Sequence, residues 1–396
     1  MTAVLVIGEC DTNFVEKELK DLQVFPAQSV LVLGNESLSS SYTKVLSEKL
    51  QISITLVETQ KNQHVHGIFQ LKCVMDGSKI NNAIVFCPNQ IETEIQGFCK
   101  EVFPENYSLV VKNAGDVRFI HETGEGSFAD RFRQYLKNLE PKEAVTVYRS
   151  RVIPDSCNHG FSSRSGGLSV YPGLASLNMC FSARKKDSRA VVKANHNLLA
   201  KAGQFDVAKL VIAKAVHGKD VWVYEGPEPQ SYDGIVTNTP GVTVAAPGAD
   251  CNIVLFADPI AKACGAAHAG WKGILKGIIQ STVDSMKKSY GSDAKNIKVA
   301  IGPSLSVCCM EFGIEGVEMF SPIHKDCVVW KKDCPKPYID LRLAAVTLLE
   351  KEGILLNNID ETSVKICTKC DPEKRFFSFR RDGSQFGNQV GYIGLK

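Results

Sequence analysis

Apolar residues in the first third of the chain fall into short, β-branched runs of strand length, separated by stretches with helical periodicity. Val4–Ile7, Ser29–Leu33, Ile52–Val57, Ala83–Phe86 and Tyr107–Val111 predict strands, while Thr43–Leu50 and Ser127–Leu139 predict helices. That alternation predicts a smaller α/β domain over residues 1–145. A polar, proline-bearing stretch, Lys137–Glu143, reads as a linker. From 146 to 396 the pattern reads as a second unit with interleaved strands and helices. Lys209–Val216, Val221–Tyr224, Val242–Ala246 and Asn252–Ala257 are strand-like, and Ile274–Lys287 carries an apolar stripe through Ile274, Leu275, Ile278, Ile279 and Met286.

Composition narrows the function more than it narrows the fold. The 396 residues carry 46 basic and 43 acidic side chains, so no global field marks a nucleic-acid binder and a small-molecule partner is expected. The apolar run near the N-terminus is too short for a secretory signal, and no charge-free window is long enough for a transmembrane segment. Cytoplasmic residence is the expectation, with other pools such as the peroxisome left open, and the 14 cysteines are then expected as reduced thiols. Cys367-Thr-Lys-Cys370 has zinc-knuckle or redox spacing, but a second such pair is missing and adjacent Cys308 and Cys309 are a poor substitute. A bland pair of loop thiols is expected there. No glycine-rich phosphate loop occurs in the first domain, since Gly34–Ser37 and Gly124–Gly126 fit neither nucleotide signature.

Three residues set in tight turns carry the candidate chemistry: His217 before Gly218, Cys251 after Asp250, and His268 two residues before Gly270. Two imidazoles and a thiolate suit a borderline-soft metal. A catalytic zinc keeps three protein ligands and one open position, and three are what the sequence offers. Their separations fit no short zinc-finger pattern. Gly270-Trp271-Lys272-Gly273 reads as a helix start able to hold an anion with help from Lys272. The Gly160–Gly167 turn places Arg164 among hydroxyls, and Phe376–Gly383 combines aromatic rings with Arg380 and Arg381.

Taken together, the Gly160–Gly167 turn, Ala175–Asn178, His217-Gly218, Asp233–Thr237, Ala249–Cys251, His268–Trp271, Ala300–Pro303, Tyr338–Leu341, Cys367-Thr368 and Phe377–Gly383 make the chain resemble the YfiH family, also called the laccase-like or multicopper polyphenol oxidase family. With its extra N-terminal domain the whole chain is similar to vertebrate laccase-domain proteins. The resemblance implies an α+β fold, with a YfiH-like αββα sandwich as the catalytic domain at 146–396. It implies that His217, Cys251 and His268 bind a catalytic Zn2+. It also implies phosphorolysis of adenosine, inosine, guanosine and methylthioadenosine with phosphate as co-substrate, and deamination of adenosine. Arg164, Lys272 and Arg381 are then the candidates for phosphate, Asn178 for the nucleoside, and Asp250 for support behind the metal ligands. The chain departs from the bacterial pattern at Lys272, where arginine is common, at Ala215, where glutamine often stands, and at Phe386-Gly387-Asn388, in place of Thr-Gly-Arg. A lysine is a point charge where arginine is a fork, so phosphate affinity and substrate preference are expected to change if that arginine holds phosphate bidentately in the family.

Other functions fit parts of the pattern. A His2Cys set also resembles a blue-copper site, but multicopper oxidases need many more histidines than the eight here, of which only His64 and His66 form a His-x-His pair. Cys251 could act as a nucleophile with a histidine base and no metal. An activated water would suit hydrolysis of a non-nucleoside C–N bond, as in a ureido amino acid such as citrulline. A non-catalytic scaffold is the remaining alternative, and the sequence assigns no protein partner to the N-terminal domain.

Overall fold

The computed structural model describes residues 2–7, 12–21, 29–34, 44–48, 54–58, 63–78, 80–104, 106–114, 126–171, 173–182 and 187–396. The turns Gly34–Ser37 and Gly124–Gly126, apart from Gly34 and Gly126, lie outside them, as do Thr43, Lys49, Leu50, Ile52 and Ser53 of the expected elements. By compactness the chain divides into two units, Met1–Glu140 with Phe181–Ala194, and Pro141–Cys180 with Asn195–Lys396.

In the first unit, strands β1 (Thr2–Ile7), β2 (Ser29–Gly34), β3 (Ile54–Glu58), β4 (Asn82–Cys87) and β5 (Ser108–Asn113) form one sheet in the order β3-β2-β1-β4-β5. Every pairing is parallel. The order reverses between β1 and β4, as in doubly wound α/β sheets. Central β1 is buried on both faces and reads as a continuous apolar run, as a parallel strand should. Helices α1 (Thr12–Asp21), α2 (Gln63–Gly77), α3 (Glu92–Val102) and α4 (Phe128–Lys137) accompany the strands. The helix expected at Ser127–Leu139 begins as its sequence dictates: the Ser127 hydroxyl accepts from the Asp130 amide at 3.2 Å and so caps α4.

The second unit is an αββα sandwich. One sheet contains β6 (Val147–Tyr148), β7 (Cys157–Ser162), β8 (Leu210–Ile212), β11 (Thr243–Gly248) and β18 (Gln389–Leu395), in the order β6-β7-β18-β11-β8. The other contains β9 (Val221–Val223), β10 (Gly234–Thr237), β12 (Asn252–Asp258), β13 (Ala263–Ala269), β14 (Lys298–Ile301) and β17 (Ile359–Asp360), in the order β17-β14-β12-β13-β10-β9. A two-stranded ribbon of β15 (Val328–Val329) and β16 (Tyr338–Ile339) lies apart from both.

Alternation along the strands builds the layers. Val244, Ala246, Ile253, Leu255 and Ile393 meet between the two sheets. Their neighbours Ala245, Val390 and Tyr392 turn outward to Leu199 on α5 (Arg189–Gly203). Val254, Phe256 and Ala267 face Ile278, Val283 and Met286 on α7 (Ile278–Tyr290) and Ala345 and Leu349 on α8 (Leu341–Lys351).

Two expectations for this unit change. The helix expected over Ile274–Lys287 is two helices, α6 (Trp271–Lys276) and α7, because Gly277 adopts φ 99° and closes α6 with its amide on the Gly273 and Ile274 carbonyls. The strand expected over Lys209–Val216 is shorter, Leu210–Ile212: the Ala213 amide still donates to the Ala245 carbonyl of β11, after which the chain turns to a buried carboxylate that accepts the Val216 amide. Among the described residues no helix is long and apolar enough to cross a membrane.

Candidate metal centre

Strand register assembles most of the site. In the antiparallel pair β12–β13, Asn252 stands opposite Ala269 and Ile253 opposite His268, so Cys251, one residue before β12, lies against Gly270, one residue after β13. In the pair β10–β13, Gly234 stands opposite Ala267, which places Asp233 beside His268. Cys251, His268 and Asp233 thus reach one end of the sheet from three adjacent strands. A register slip of one residue would turn His268 to the opposite face.

His217 arrives from the 216–218 loop. Asp233, fully buried, holds that loop: its Oδ2 accepts from the amides of Val216 at 3.0 Å and Gly218 at 2.8 Å, and its Oδ1 from the amide of His217 at 2.9 Å. The same Oδ1 lies 2.8 Å from Nδ1 of His268. His217 has φ 61°, and the exposed Lys276 fixes its carbonyl by donating from Nζ at 3.1 Å. Cys251 Sγ lies 4.0 Å from Nε2 of His217, and the two imidazole rings stand edge to face with centroids 4.8 Å apart. A Cβ at Gly270 would come within 2.8 Å of Cys251 Sγ and 3.2 Å of the His217 ring, so the space beside the thiol depends on that glycine.

Electrostatics follow from these contacts. Burial by itself opposes a charge on Cys251, but the His268 charge and hydrogen bonds from both imidazoles bring its thiol down to about 6. Burial likewise opposes protonation of His268, yet Cys251 and the Asp233 carboxylate push it up to about 10. Asp233 is held below the usual carboxylate range: burial opposes its charge, while His268 and the loop amides stabilise it. Cys251 is accordingly a thiolate near neutral pH, the form that binds metals.

The donor set fits a zinc ion. One ligand atom each from His217, Cys251 and His268 lies within 4.8 Å of the others. Tetrahedral Zn–S and Zn–N bonds of about 2.3 and 2.0 Å have an S···N edge of about 3.6 Å. The 4.0 Å between Cys251 and His217 therefore needs only a small contraction. With Nδ1 of His268 given to Asp233, Nε2 is the nitrogen left to ligate, a common support for metal-binding histidines.

The other expected site residues are differently employed. Asp250 turns its carboxylate away from the imidazoles, to the Thr368 hydroxyl and the Arg380 amide, both at 2.6 Å. Support for the candidate ligands comes instead from Asp233. Arg381 is a strut: it pairs with Asp382 at 2.8 and 2.9 Å and donates to the carbonyls of Thr368 and Phe376. Arg164 donates to the Ala175 carbonyl at 2.9 Å and lies over the Phe377 ring. Asn178 is fully buried and its amide spans the backbone of Cys180 and Asn388. Lys272 is exposed, in the first turn of α6, with Nζ over Trp271. Asp233 and Lys276 are the contributors that pattern reading passed over. Asp233 begins Asp233–Thr237, an acidic residue at the mouth of an apolar strand, and that contrast was the available signal.

Fold and site together define the class. The chain belongs to the family described as multi-copper polyphenol oxidoreductase laccase, whose profile matches residues 158–396. It is 37% identical over 344 residues to the human "Purine nucleoside phosphorylase LACC1", covering 83% of this chain and 80% of that protein. The mouse protein of the same name is 46% identical over 265 residues, covering 66% of this chain and 61% of its own length. Among solved structures, YlmD from Geobacillus stearothermophilus aligns with a TM-score of 0.57 at 29% identity, covering 65% of this chain and 98% of that one.

Proposed function

We propose that this protein is a zinc-dependent purine nucleoside enzyme. It cleaves adenosine, inosine, guanosine and S-methyl-5'-thioadenosine with phosphate to give the base and the (methylthio)ribose 1-phosphate, and it deaminates adenosine to inosine. The observation that carries this reading is the Asp233-braced trio of His217, Cys251 and His268, in a chain similar over most of its length to proteins named purine nucleoside phosphorylase. The chemistry a bound zinc supplies is Lewis acidity and activation of water near neutral pH.

The chain's own groups supply position and charge. Asp233 fixes the tautomer of His268 and, through three amides, the place of His217. Lys272, exposed in the first turn of α6, is the candidate cation for phosphate in this reading, whereas Arg381 is committed to Asp382 and two carbonyls. Phosphorolysis requires phosphate beside the anomeric carbon as the glycosidic bond breaks and the base departs protonated, a demand for positioning and charge stabilisation.

One observation favours a second reading. Cys251, His268 and Asp233 also form a thiol–imidazole–carboxylate series of the kind that activates a nucleophile. His217 has no role in such a triad, and alkylation separates the readings: a metal site releases zinc as Cys251 is modified.

A mass-resolved product assay with adenosine tests the proposal. Adenine and ribose 1-phosphate are expected only when phosphate is present, inosine without it, and neither from Cys251→Ala. Lys272→Ala should raise KM for phosphate at unchanged Tm, whereas Arg381→Ala should lower Tm. Absence of both products from zinc-loaded protein would overturn the reading.

A further inference from the structure

Four sulfurs converge in the second unit, apart from the His217–Cys251–His268 site. Cys308 and Cys309 lie in the turn after β14, and Cys367 and Cys370 in the loop after β17. Their Sγ atoms all lie within 4.8 Å of one another, and those of Cys308 and Cys370 are 3.5 Å apart. A tetrahedron with metal–sulfur bonds of about 2.3 Å has sulfur–sulfur edges of about 3.8 Å. Backbone bonds stitch the two segments together, with the Ser304 amide on the Ile366 carbonyl at 3.3 Å and the Thr368 amide on the Ser304 carbonyl at 3.1 Å. That stitching brings an adjacent cysteine pair to a Cys-x-x-Cys turn, a juxtaposition that spacing alone argued against.

Filling a core does not explain the cluster. Cys87 and Cys264 have no exposed surface and act as small apolar side chains, but Cys308 and Cys370 are exposed and Cys309 and Cys367 half-buried. A disulfide would employ two sulfurs at about 2.05 Å. The cluster instead offers four, all within 4.8 Å of one another.

We propose that Cys308, Cys309, Cys367 and Cys370 bind a second zinc ion in a closed tetrathiolate site. Binding one Zn2+ releases four thiol protons to solvent and involves no redox change. The complex then carries two net negative charges, offset locally by Lys331, whose Nζ donates to the Cys308 carbonyl at 2.6 Å, and by exposed Lys369. Four protein ligands leave no position for water or substrate, so the site is structural. It clamps the two segments that hold Asp250: the Leu305 amide donates to the Asp250 carbonyl and the Thr368 hydroxyl to its carboxylate. Asp250, at φ 87°, immediately precedes Cys251.

Metal analysis of the full-length chain, expressed with zinc and purified under reducing, chelator-free conditions, tests this. Two zinc ions per chain are expected, falling to one in Cys308→Ser/Cys370→Ser and to one in Cys251→Ala. Two measurements on the wild-type chain guard against misfolded variants. Cobalt exchanged into it should give tetrathiolate d–d bands. The four cysteines should resist alkylation, as read by peptide mass, until a strong chelator is added. A single zinc that disappears in Cys251→Ala, prompt alkylation of all four thiols, or a disulfide mapped among them would each overturn the proposal, and none of these readouts depends on turnover.

Discussion

Asp233→Asn removes a charge and exchanges one oxygen for an NH2 group at almost no change in volume, which makes it a clean probe of the centre. The carboxylate accepts four hydrogen bonds, two on each oxygen. If the new NH2 takes the place of Oδ2, it points at the amides of Val216 and Gly218, and donors face donors. If it takes the place of Oδ1, the His217 amide loses its acceptor, and His268 must accept at Nδ1, which puts its proton on Nε2, the nitrogen needed for metal. Each buried donor left unpaired costs about 1–3 kcal/mol, so the first orientation alone costs on the order of 2 kcal/mol or more. Loss of such a support behind a ligating histidine weakens metal binding by roughly 10–100-fold. Competition with a chromophoric chelator gives the zinc affinity, and calorimetry in the chelated state gives the stability change. A zinc affinity within twofold of wild type, with unchanged Tm, would refute the argument that Asp233 is the brace.

Gly270→Ala tests the space beside the thiol. Gly270 has φ −68°, which alanine adopts freely, so the penalty is steric, with the Cβ pressed to 2.8 Å from Cys251 Sγ and 3.2 Å from the His217 ring; zinc content by mass spectrometry should fall well below wild type while the circular dichroism spectrum is kept, and full zinc occupancy would show that the site has room to spare. Asp360 supplies a pH dependence. Burial opposes its charge, but the Ser150 hydroxyl at 2.6 Å and the amides of Ser363 and Thr362 hold its carboxyl well below the usual value. A depressed folded-state pKa contributes stability that is present above the unfolded value near 3.8 and is lost as pH falls towards the folded one. Asp360→Asn should therefore lower Tm at about pH 7, with the gap to wild type narrowing below about pH 4; a gap that stays constant across that range would contradict the assignment.

How much the sequence disclosed depended on what kind of information each feature carries. Strands rich in β-branched residues, such as Val4–Ile7 and Asn252–Ala257, were legible because their side chains are themselves the apolar payload. Strand β13, Ala-Cys-Gly-Ala-Ala-His-Ala, was not, because small residues have weak strand preference and owe their place to packing. A Cβ on Gly265 would meet the Ile235 carbonyl at 2.9 Å, so β13 and β10 approach closely there by virtue of that composition. The break at Gly277 was hidden by an apolar stripe that runs on past it. His217, Cys251 and His268 were visible as residue types beside glycine or acidic turns, although His268 itself lies within β13 and not in a turn. The partners of Asp250 and the bond of Asn178 to Asn388 were not visible, since they join segments far apart in the chain, and the bonds of Arg164 and Arg381 were not because they go largely to backbone carbonyls, which no residue type marks.

The cysteines show the same division. A Cys-x-x-Cys spacing is local and can be read directly, whereas the closeness of Cys308 and Cys309 to it depends on two crossing bonds at Ser304.

The centre combines two kinds of determination. Cys251, His268 and Asp233 owe their positions to the register of β12, β13 and β10, and the sheet core behind them, through Ile253, Leu255 and Ala266, would keep that register in a variant lacking any one of the polar groups. His217 has no strand to hold it. Its loop is fixed by the Asp233 carboxylate and by Lys276, so the same buried charge that orients one imidazole also delivers the other. The two histidines are therefore coupled through Asp233: its loss should release the 216–218 loop and misdirect His268 together, while Cys251 stays in place at the head of β12. Two ligands fail for one substitution, which is why loss of metal, ahead of loss of fold, is the signature to look for.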